Sequence, residues 1–317
     1  MIEAFGGVWA KLPKPLRATL RKSGIPYAVS FWNRYNDRHA PHTFAGTLAK
    51  LHEEYPKVPR DAQRALADRF DAALDSLVLP NGVRKTTYAR RANAALARFL
   101  SEPRWRIATP EVRVLDLPSS SGRASLDCYD LLAQHYNVGQ YVLSDVCFEV
   151  YYDPDRDCVF DHAGNLLQVR HNANRYISVY QPYTSGHEYG PLARLLLLPH
   201  EVLSRLARRS HPYLQAKTLV PLRLVHPEAD RRIAEGTFSL KRCDVFALEF
   251  REEFDLVLSF NLLQRDYFLP DRIQMGLQNL TNALTEGGYL LTGNSDAFGI
   301  AQKRDGKLEM LCQTGAW

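Results

Sequence analysis

Apolar residues recur at helical spacing through the first third of the chain. The segments FAGTLAKLHEEY, PRDAQRALADRFDAALDSLV and YARRANAALARFLSE each repeat this spacing, and turns that contain proline or glycine separate them. The pattern predicts a helical N-terminal domain over residues 1–110, arranged as a bundle or a lid. The aromatic segment YAVSFWNRYNDRH at Tyr27–His39 fits a lid over another surface and a buried helix equally well.

From residue 111 onward the pattern changes to strands that alternate with helices. VRVLDL is a short apolar run typical of a strand covered on both faces, and SLDCYDLLAQHY follows it at helical spacing. QYVLSDV is a second strand, which ends in Asp145. Together these three segments predict one βαβ unit.

The alternation resumes at about residue 238 and ends in a hairpin. FDLVLSF predicts a strand, DRIQMGLQNLTNALTEGG a helix and YLLTGNS another strand. The tail AFGIAQKRDGKLEMLC has two strand-like runs about a DG turn, which is typical of a hairpin. We therefore predict an α/β fold over residues 111–317, a Rossmann-like doubly wound sheet with a C-terminal β-hairpin.

The composition is that of an ordinary globular protein. The chain has 317 residues, of which 45% are hydrophobic and 24% charged, enough for about two domains. No run approaches the ~20 apolar residues that span a bilayer, and the first residues lack the order of a secretory signal. We therefore expect a cytoplasmic protein with no membrane partner. The five cysteines lack C-x-x-C spacing, so neither a metal site nor a disulfide framework is predicted.

Positive charge is concentrated in the first third of the chain. Residues 1–110 contain 19 Lys and Arg against 9 Asp and Glu, whereas the remainder contains 21 against 26. The arginines of RDAQRALADRFDAALDSL alternate with acids in helical register, which indicates a solvated helix face rather than a phosphate-binding track. We expect no nucleic-acid partner, and the sequence leaves the oligomeric state open.

The stretch VLDLPSSSG joins the first predicted strand to its helix. A strand that ends in an acid, followed by a tight turn and a helix start, forms a site where helix-terminal N–H groups meet a polar ligand. Dinucleotide enzymes bind a pyrophosphate there with a G-x-G-x-x-G loop. This loop has a single glycine, Gly122, which favours a nucleoside without a pyrophosphate.

These residues resemble the first motif of the class I S-adenosylmethionine (SAM) methyltransferases, a strand, an acid and a G-x-G-x-G loop. Asp116 matches the acid, and Gly122 matches the last glycine. The resemblance implies that Asp145, which ends the second strand, binds both ribose hydroxyls. The residues of the bend that it assigns to the cofactor are Asp116, Pro118, Ser119, Ser120, Ser121 and Gly122, with Pro118 and Ser120 in place of the first two glycines.

The resemblance continues in the later strands. Asp244 in CDVF matches the acid before the adenine pocket, with Val245 beside it and Phe246 available to stack on the base. FDLVLSFNLLQ matches the fourth-strand motif and adds Ser259 and Phe260, and LTEGGYLLTG matches a strand signature that follows. The matched parts are about 113–145 and 238–312, and they imply SAM as a co-substrate.

The resemblance implies chemistry at the sulfonium of SAM. We expect transfer of its methyl group to a small-molecule acceptor, in specialised metabolism. Attack on the aminocarboxypropyl chain, as in nicotianamine synthases and azetidine-2-carboxylate-forming enzymes, stays open, and so does a non-catalytic SAM-fold binding module. The absence of an NPPY-type motif disfavours methylation of nucleic-acid bases. The C-terminal strands also resemble those of chemotaxis-receptor methyltransferases.

A long interruption at about 148–236 supplies the candidate catalytic residues. Its length exceeds what one crossover needs, so it predicts a cap inserted over the mouth of the site. Tyr176 and Tyr180 have π faces that can attract a cation, and His187 can accept a proton. Asn261 follows the fourth strand, where the family commonly holds residues that face the acceptor. Scaffold or surface roles are the alternative for all four.

Overall fold

The computed structural model describes residues 44–75, 77, 89–172, 175–178, 191–210, 219–264, 268–293 and 297–315. The α-helices within these ranges are α1 Phe44–Glu54, α2 Arg60–Asp75, α3 Ala89–Ser101, α4 Arg123–Leu132, α5 Pro191–Ser210, α6 Pro227–Ala234 and α7 Pro270–Ala283. The strands are β1 Val112–Asp116, β2 Val138–Asp145, β3 Glu149–Asp153, β4 Cys158–Phe160, β5 Leu166–Asn172, β6 Arg175–Ser178, β7 Val220–Arg223, β8 Ser239–Arg242, β9 Phe254–Phe260, β10 Leu284–Gly293, β11 Phe298–Arg304 and β12 Lys307–Thr314.

The chain divides into two compact units. The α/β unit comprises Tyr55–Asp71, Thr86–Phe148 and Arg223–Trp317. The insertion unit comprises Met1–Glu54, Ala72–Lys85 and Glu149–Leu222. None of the helices in the described ranges combines the length and the apolar character that crossing a membrane requires.

The α/β unit is built on a seven-stranded sheet in the order β12-β11-β10-β9-β1-β2-β8. The pairs β8–β2, β2–β1, β1–β9 and β9–β10 are parallel, whereas β11 pairs antiparallel with both β10 and β12. This topology confirms the predicted Rossmann-like doubly wound sheet with a C-terminal β-hairpin.

Apolar cores cover both faces of this sheet, because neighbouring residues of a strand point to opposite faces. Leu143 belongs to the core that includes α3 and α4, whereas Val142 belongs to the core that includes α7. Leu291 and Leu290 of β10 are divided in the same way. Burial on both faces explains why the central strands read as continuous apolar runs rather than as alternating ones.

The order of the strands creates a switch point beside β1. From β1 the chain moves outward to β2 and β8, and then returns to β9 on the other side of β1 before it continues to β10. Connections on either side of such a point leave in opposite directions and open a crevice at the carboxyl ends of the strands. The loop after β1 lies at this crevice.

The insertion unit contains a second sheet, in the order β6-β5-β4-β3-β7. The pairs β3–β4, β4–β5 and β5–β6 are antiparallel. Its interior is a small apolar cluster against which Ala207 of α5 packs, formed by Cys158, Phe160, Leu166 and Val169.

The limits of the two units differ from the predicted domain limits. Helix α3 and the segment Tyr55–Asp71 belong to the α/β unit, although they fall within the predicted N-terminal domain of residues 1–110. Helix α6 also belongs to the α/β unit, although it falls within the predicted insertion at about 148–236. The aromatic segment Tyr27–His39 lies outside the described residues. The lid and the cap stay predictions.

Candidate functional site

The loop that follows β1 is tied to both neighbouring strands. The Leu117 N–H donates to the carbonyl oxygen of Leu258 in β9 at 2.9 Å, and the Ser119 N–H donates to that of Ser144 in β2 at 2.8 Å. The loop therefore spans the switch point, with Pro118 at its start. Backbone hydrogen bonds on both sides fix its position relative to the carboxyl ends of three strands.

Gly122 is the loop glycine that the geometry requires. It adopts a left-handed conformation with φ 80°, which an L-amino acid adopts only at a cost. A Cβ atom at this position would lie 3.0 Å from the Ala229 Cβ and 3.1 Å from the Leu143 Cδ1. Ser120 has φ 56°, which is also a left-handed conformation. The methyltransferase motif has a glycine at this position, and here a serine adopts the same backbone conformation.

Asp145 holds the loop from the end of β2. Its Oδ2 accepts a hydrogen bond from the Ser120 N–H at 2.9 Å, and its Oδ1 accepts one from the Cys147 N–H at 3.1 Å. The residue is only 5% exposed. A carboxyl group that accepts backbone N–H groups in this way stabilises the adjoining loop.

Asp116 lies in the interior below the loop. Its Oδ2 accepts hydrogen bonds from the Ser125 hydroxyl at 2.6 Å and from the Tyr141 hydroxyl at 3.2 Å. Burial raises the pKa of the Asp116 carboxyl to about 7, against the opposing effect of the two hydroxyls and with a further increase from the nearby Asp145. Asp116 thus joins β1 to the first turn of α4 and to β2.

Asp244 begins a short 3-10 turn at Val245–Ala247. Its Oδ1 accepts a hydrogen bond from the Phe246 N–H at 3.0 Å, and the buried Val245 is fixed through its carbonyl by the Asn279 side-chain amide at 2.9 Å. The Phe246 ring is half-buried, and the Arg272 guanidinium lies 3.9 Å from its centroid. A base that stacks on Phe246 must therefore use the other face of the ring or displace Arg272.

Three buried serine hydroxyls lie at the carboxyl ends of the central strands. Ser119 follows β1, Ser144 is in β2 and Ser259 is in β9, and none is more than 3% exposed. Within the described part of the chain, their Oγ atoms have no hydrogen-bond partner. Because a buried hydroxyl without a partner costs free energy, an ordered water bound to these atoms would stabilise the fold. Ser144 escaped sequence reasoning, although it directly precedes Asp145.

The end of β9 carries two further candidates. Phe260 packs against the core on the α4 side of the sheet, and Asn261 follows it in a left-handed conformation with φ 59°. The Asn261 N–H donates to the carbonyl oxygen of Gly293 at 2.8 Å, which holds the residue between the ends of β9 and β10. Asn261 therefore lies at the same edge of the sheet as the loop after β1.

The remaining catalytic candidates belong to the interruption at about 148–236. Tyr176 lies in β6 of the insertion unit, where its backbone pairs with Arg170. Tyr180 and His187 lie outside the described residues.

Helix α2 contributes contacts near the loop that the sequence did not reveal. The Phe70 ring packs edge-on against the His226 ring. The backbone N–H of His226 donates to the Ser121 carbonyl oxygen at 2.7 Å. Asp71 lies 3.9 Å from the Arg123 guanidinium, at the start of α4. Burial raises the pKa of the Asp71 carboxyl to about 6, although Arg123 opposes that shift. These contacts depend on tertiary packing, so no local pattern signals them.

Comparison with known proteins yields similar folds but no related sequence. No family model and no curated protein matches the chain. Solved structures that resemble it include the 4+2 cyclase SpnF, at 12% identity and a TM-score of 0.28 over 64% of this chain and 44% of that one. A SAM-dependent methyltransferase from Methanosarcina mazei has 15% identity and a TM-score of 0.26 over 59% of this chain and 53% of that one.

A third similar structure is the CMeT domain of the citrinin polyketide synthase. It has 11% identity and a TM-score of 0.25, and the match covers 57% of this chain and 28% of that one. In all three cases the matched part spans little more than half of the other chain or less. At this level of likeness the function has to be argued from the geometry of the site itself.

Proposed function

We propose that this protein binds SAM at the carboxyl edge of the seven-stranded sheet and transfers its methyl group to a small-molecule acceptor. The observation that carries the proposal is the loop at residues 117–122, fixed across the switch point of the sheet by Asp145 and by the two flanking strands. Open α/β sheets bind their ligands at this point. The motif resemblance of the same residues supports SAM as the ligand.

Asp145 and the 3-10 turn are proposed to hold the adenosine part. The ribose hydroxyls are hydrogen-bond donors, and the Asp145 carboxyl at the end of β2 is proposed to accept them in addition to its backbone N–H partners. Phe246 and Val245 then form an apolar wall for the base. Asp244 orders that wall through its hydrogen bond to the Phe246 N–H.

The start of α4 is proposed to receive the methionyl carboxylate. Gly122 precedes this helix, and no side chain caps its first turn. Helix-terminal N–H groups and the helix dipole favour an anion there.

The chain's own contribution to the reaction is then alignment of the reactants. Bound SAM supplies a methyl group activated by its sulfonium. Holding the acceptor in line with that group and excluding water lower the barrier without a metal or a covalent step through the protein. Asn261 is proposed to face the acceptor. If the nucleophile of the substrate must lose a proton, we propose that His187 accepts it. The rings of Tyr176 and Tyr180 are proposed to stabilise positive charge.

Product analysis tests this proposal. The purified chain is first titrated with SAM by calorimetry, and then incubated with SAM and a panel of small-molecule nucleophiles. Formation of S-adenosylhomocysteine supports methyl transfer, whereas methylthioadenosine would show attack on the aminocarboxypropyl chain. Binding without turnover across the panel would instead favour a binding module. If SAM does not bind, the proposal is wrong.

A further inference from the structure

Helix α5 of the insertion unit exposes an unusual number of large apolar side chains. Leu192 is 55% exposed, Leu195 63%, Val202 47% and Leu206 53%. At about 100° per residue, these four positions fall within a single sector of the helix surface. Scattered exposed leucines are ordinary, but a continuous stripe of them indicates a surface that contacts another body. We call these four residues the α5 stripe.

A different part of the α5 surface packs against the small sheet. Ala207 packs against the apolar cluster of the small sheet, which includes Phe160 and Val169. The middle of the α5 stripe lies roughly 100° around the helix from Ala207. The small sheet therefore holds the helix in place while the stripe stays accessible.

Positive charge lies beside the stripe. Arg194 and Arg209 are exposed, and they lie in a sector roughly 90° from the stripe, on the side away from Ala207, together with the exposed Leu198. The whole helix contains four arginines and one acid, Glu201. An apolar stripe with a row of arginines along one edge has the pattern of a helix that lies in a membrane interface.

We propose that α5 docks the insertion unit onto an anionic lipid surface. The α5 stripe would enter the boundary between headgroups and acyl chains, and the arginines would contact the phosphates of the headgroups. The helix would lie in the plane of the membrane, because its four arginines disfavour a span and it lacks the apolar character that spanning needs.

Charge favours a lipid surface over a second copy of this chain. Two copies that paired antiparallel through the α5 stripe would bring like-charged arginine rows together, which disfavours association, whereas anionic headgroups complement them. This proposal is independent of the proposed function, since all of its residues lie in α5 and none of them is proposed to bind SAM or the acceptor. It revises the expectation of no membrane partner, which considered only segments long enough to span.

Vesicle sedimentation of the full chain tests the proposal. The probes are vesicles of phosphatidylcholine alone and vesicles that also contain phosphatidylglycerol. We expect partition into the anionic vesicles only, with a steep decrease as salt rises. Leu195→Glu should weaken the partition by about tenfold or more, and Arg194→Glu combined with Arg209→Glu should do the same.

The control variant is Met310→Glu, which changes another exposed apolar residue that lies in β12 of the α/β unit. It should bind vesicles like the wild type, and circular dichroism should show unchanged folding for every variant. Equal partition into both vesicle types, or wild-type partition of Leu195→Glu, would overturn the proposal. A third outcome would also overturn it: the wild type does not bind vesicles, and it forms a concentration-dependent dimer that Leu195→Glu dissociates. The α5 stripe would then be an interface between copies.

Discussion

At the scale of single residues, Asp145 is assigned two tasks, to hold the loop and to bind the ribose. Asp145→Asn replaces one acceptor oxygen with an N–H donor, which then faces the Ser120 or Cys147 N–H. We expect SAM to bind roughly tenfold to a hundredfold more weakly, because charge-assisted hydrogen bonds are lost. Isothermal titration calorimetry measures the change.

Asp127→Asn provides the matched control for Asp145→Asn. Asp127 is a partly exposed carboxylate in α4 that pairs with Arg123 at 3.0 Å, away from the loop carboxylate. Its substitution should leave SAM affinity unchanged. Equal affinity of Asp145→Asn and the wild type would remove Asp145 from the site while leaving its structural role intact.

Asp116 makes stability depend on pH. Burial raises the pKa of its carboxyl to about 7, above the value of about 4 in an unfolded chain. The native state then binds a proton that the unfolded state lacks in this window, so stability falls as pH rises from about 4 to 7. The free energy of unfolding should decrease by up to about 4 kcal/mol from this group.

Asp116→Asn should abolish that part of the pH dependence, because an amide oxygen still accepts hydrogen bonds from Ser125 and Tyr141 but does not titrate. Urea unfolding at pH 5, 6, 7 and 8 compares the variant with the wild type. The pKa of the Asp71 carboxyl is also raised, to about 6, so Asp71 too makes the free energy of unfolding fall as pH rises. Its contribution is the same in both proteins and is removed when their curves are subtracted. Parallel curves for the two proteins would show that Asp116 does not titrate in this range.

At the scale of the element, the loop between β1 and α4 makes a specific demand on Gly122. Gly236 has nearly the same backbone angle, φ 78° against 80°, but nothing lies within 4 Å of a Cβ placed there. Gly236→Ala should therefore cost only the left-handed backbone penalty, about 1 kcal/mol. Gly122→Ala should cost clearly more, since its Cβ also meets Ala229 and Leu143, and it should weaken SAM binding.

Urea unfolding of Gly122→Ala and Gly236→Ala separates the cost of backbone strain from the cost of packing. Both variants have the backbone strain, but only Gly122→Ala adds a close packing contact. Equal losses of stability would mean that α6 shifts at Ala229 at little cost to accommodate the added Cβ. Packing would then not require a glycine at position 122. Calorimetry with SAM on the same two variants shows whether the loop geometry, rather than stability alone, sets the affinity.

Much of the element pattern was predictable because it depends on local periodicity. The strand that ends at Asp116, the helix after it and the hairpin about Asp305–Gly306 all follow from short-range patterns and turn chemistry. The left-handed Ser120 was not predictable, since serine has no strong preference for that conformation. Arg272 over Phe246 and the orphan hydroxyl of Ser144 depend on packing between distant segments, which no single stretch of sequence encodes visibly.

At the scale of the whole molecule, the sequence predicted an interruption of the sheet but not its limits. Helix α6 belongs with the α/β unit because Ala229 packs against Gly122 and the His226 N–H binds the Ser121 carbonyl. Tyr55 likewise joins that unit through its hydroxyl, which donates to Glu228 at 3.3 Å. Side-chain contacts between remote segments decide such limits, whereas changes in composition only suggest them.

Ligand binding should appear in the stability of the whole chain and should separate the two proposals. A ligand that binds only the native state stabilises it by about 2.7 kcal/mol at a hundredfold excess over its Kd. Scanning calorimetry should therefore show a rise of several degrees in Tm with SAM for the wild type. Asp145→Asn at the same concentration should show a clearly smaller rise, which corresponds to about 0.4–1.4 kcal/mol for a Kd that is tenfold to a hundredfold weaker. Leu195→Glu should keep the full rise, because the α5 stripe belongs to the insertion unit, whereas the residues proposed to hold SAM, Asp145 and the loop at 117–122 among them, belong to the α/β unit. A Leu195→Glu protein that loses the rise would contradict the independence of the two surfaces, whereas a wild type without any rise would contradict SAM binding itself.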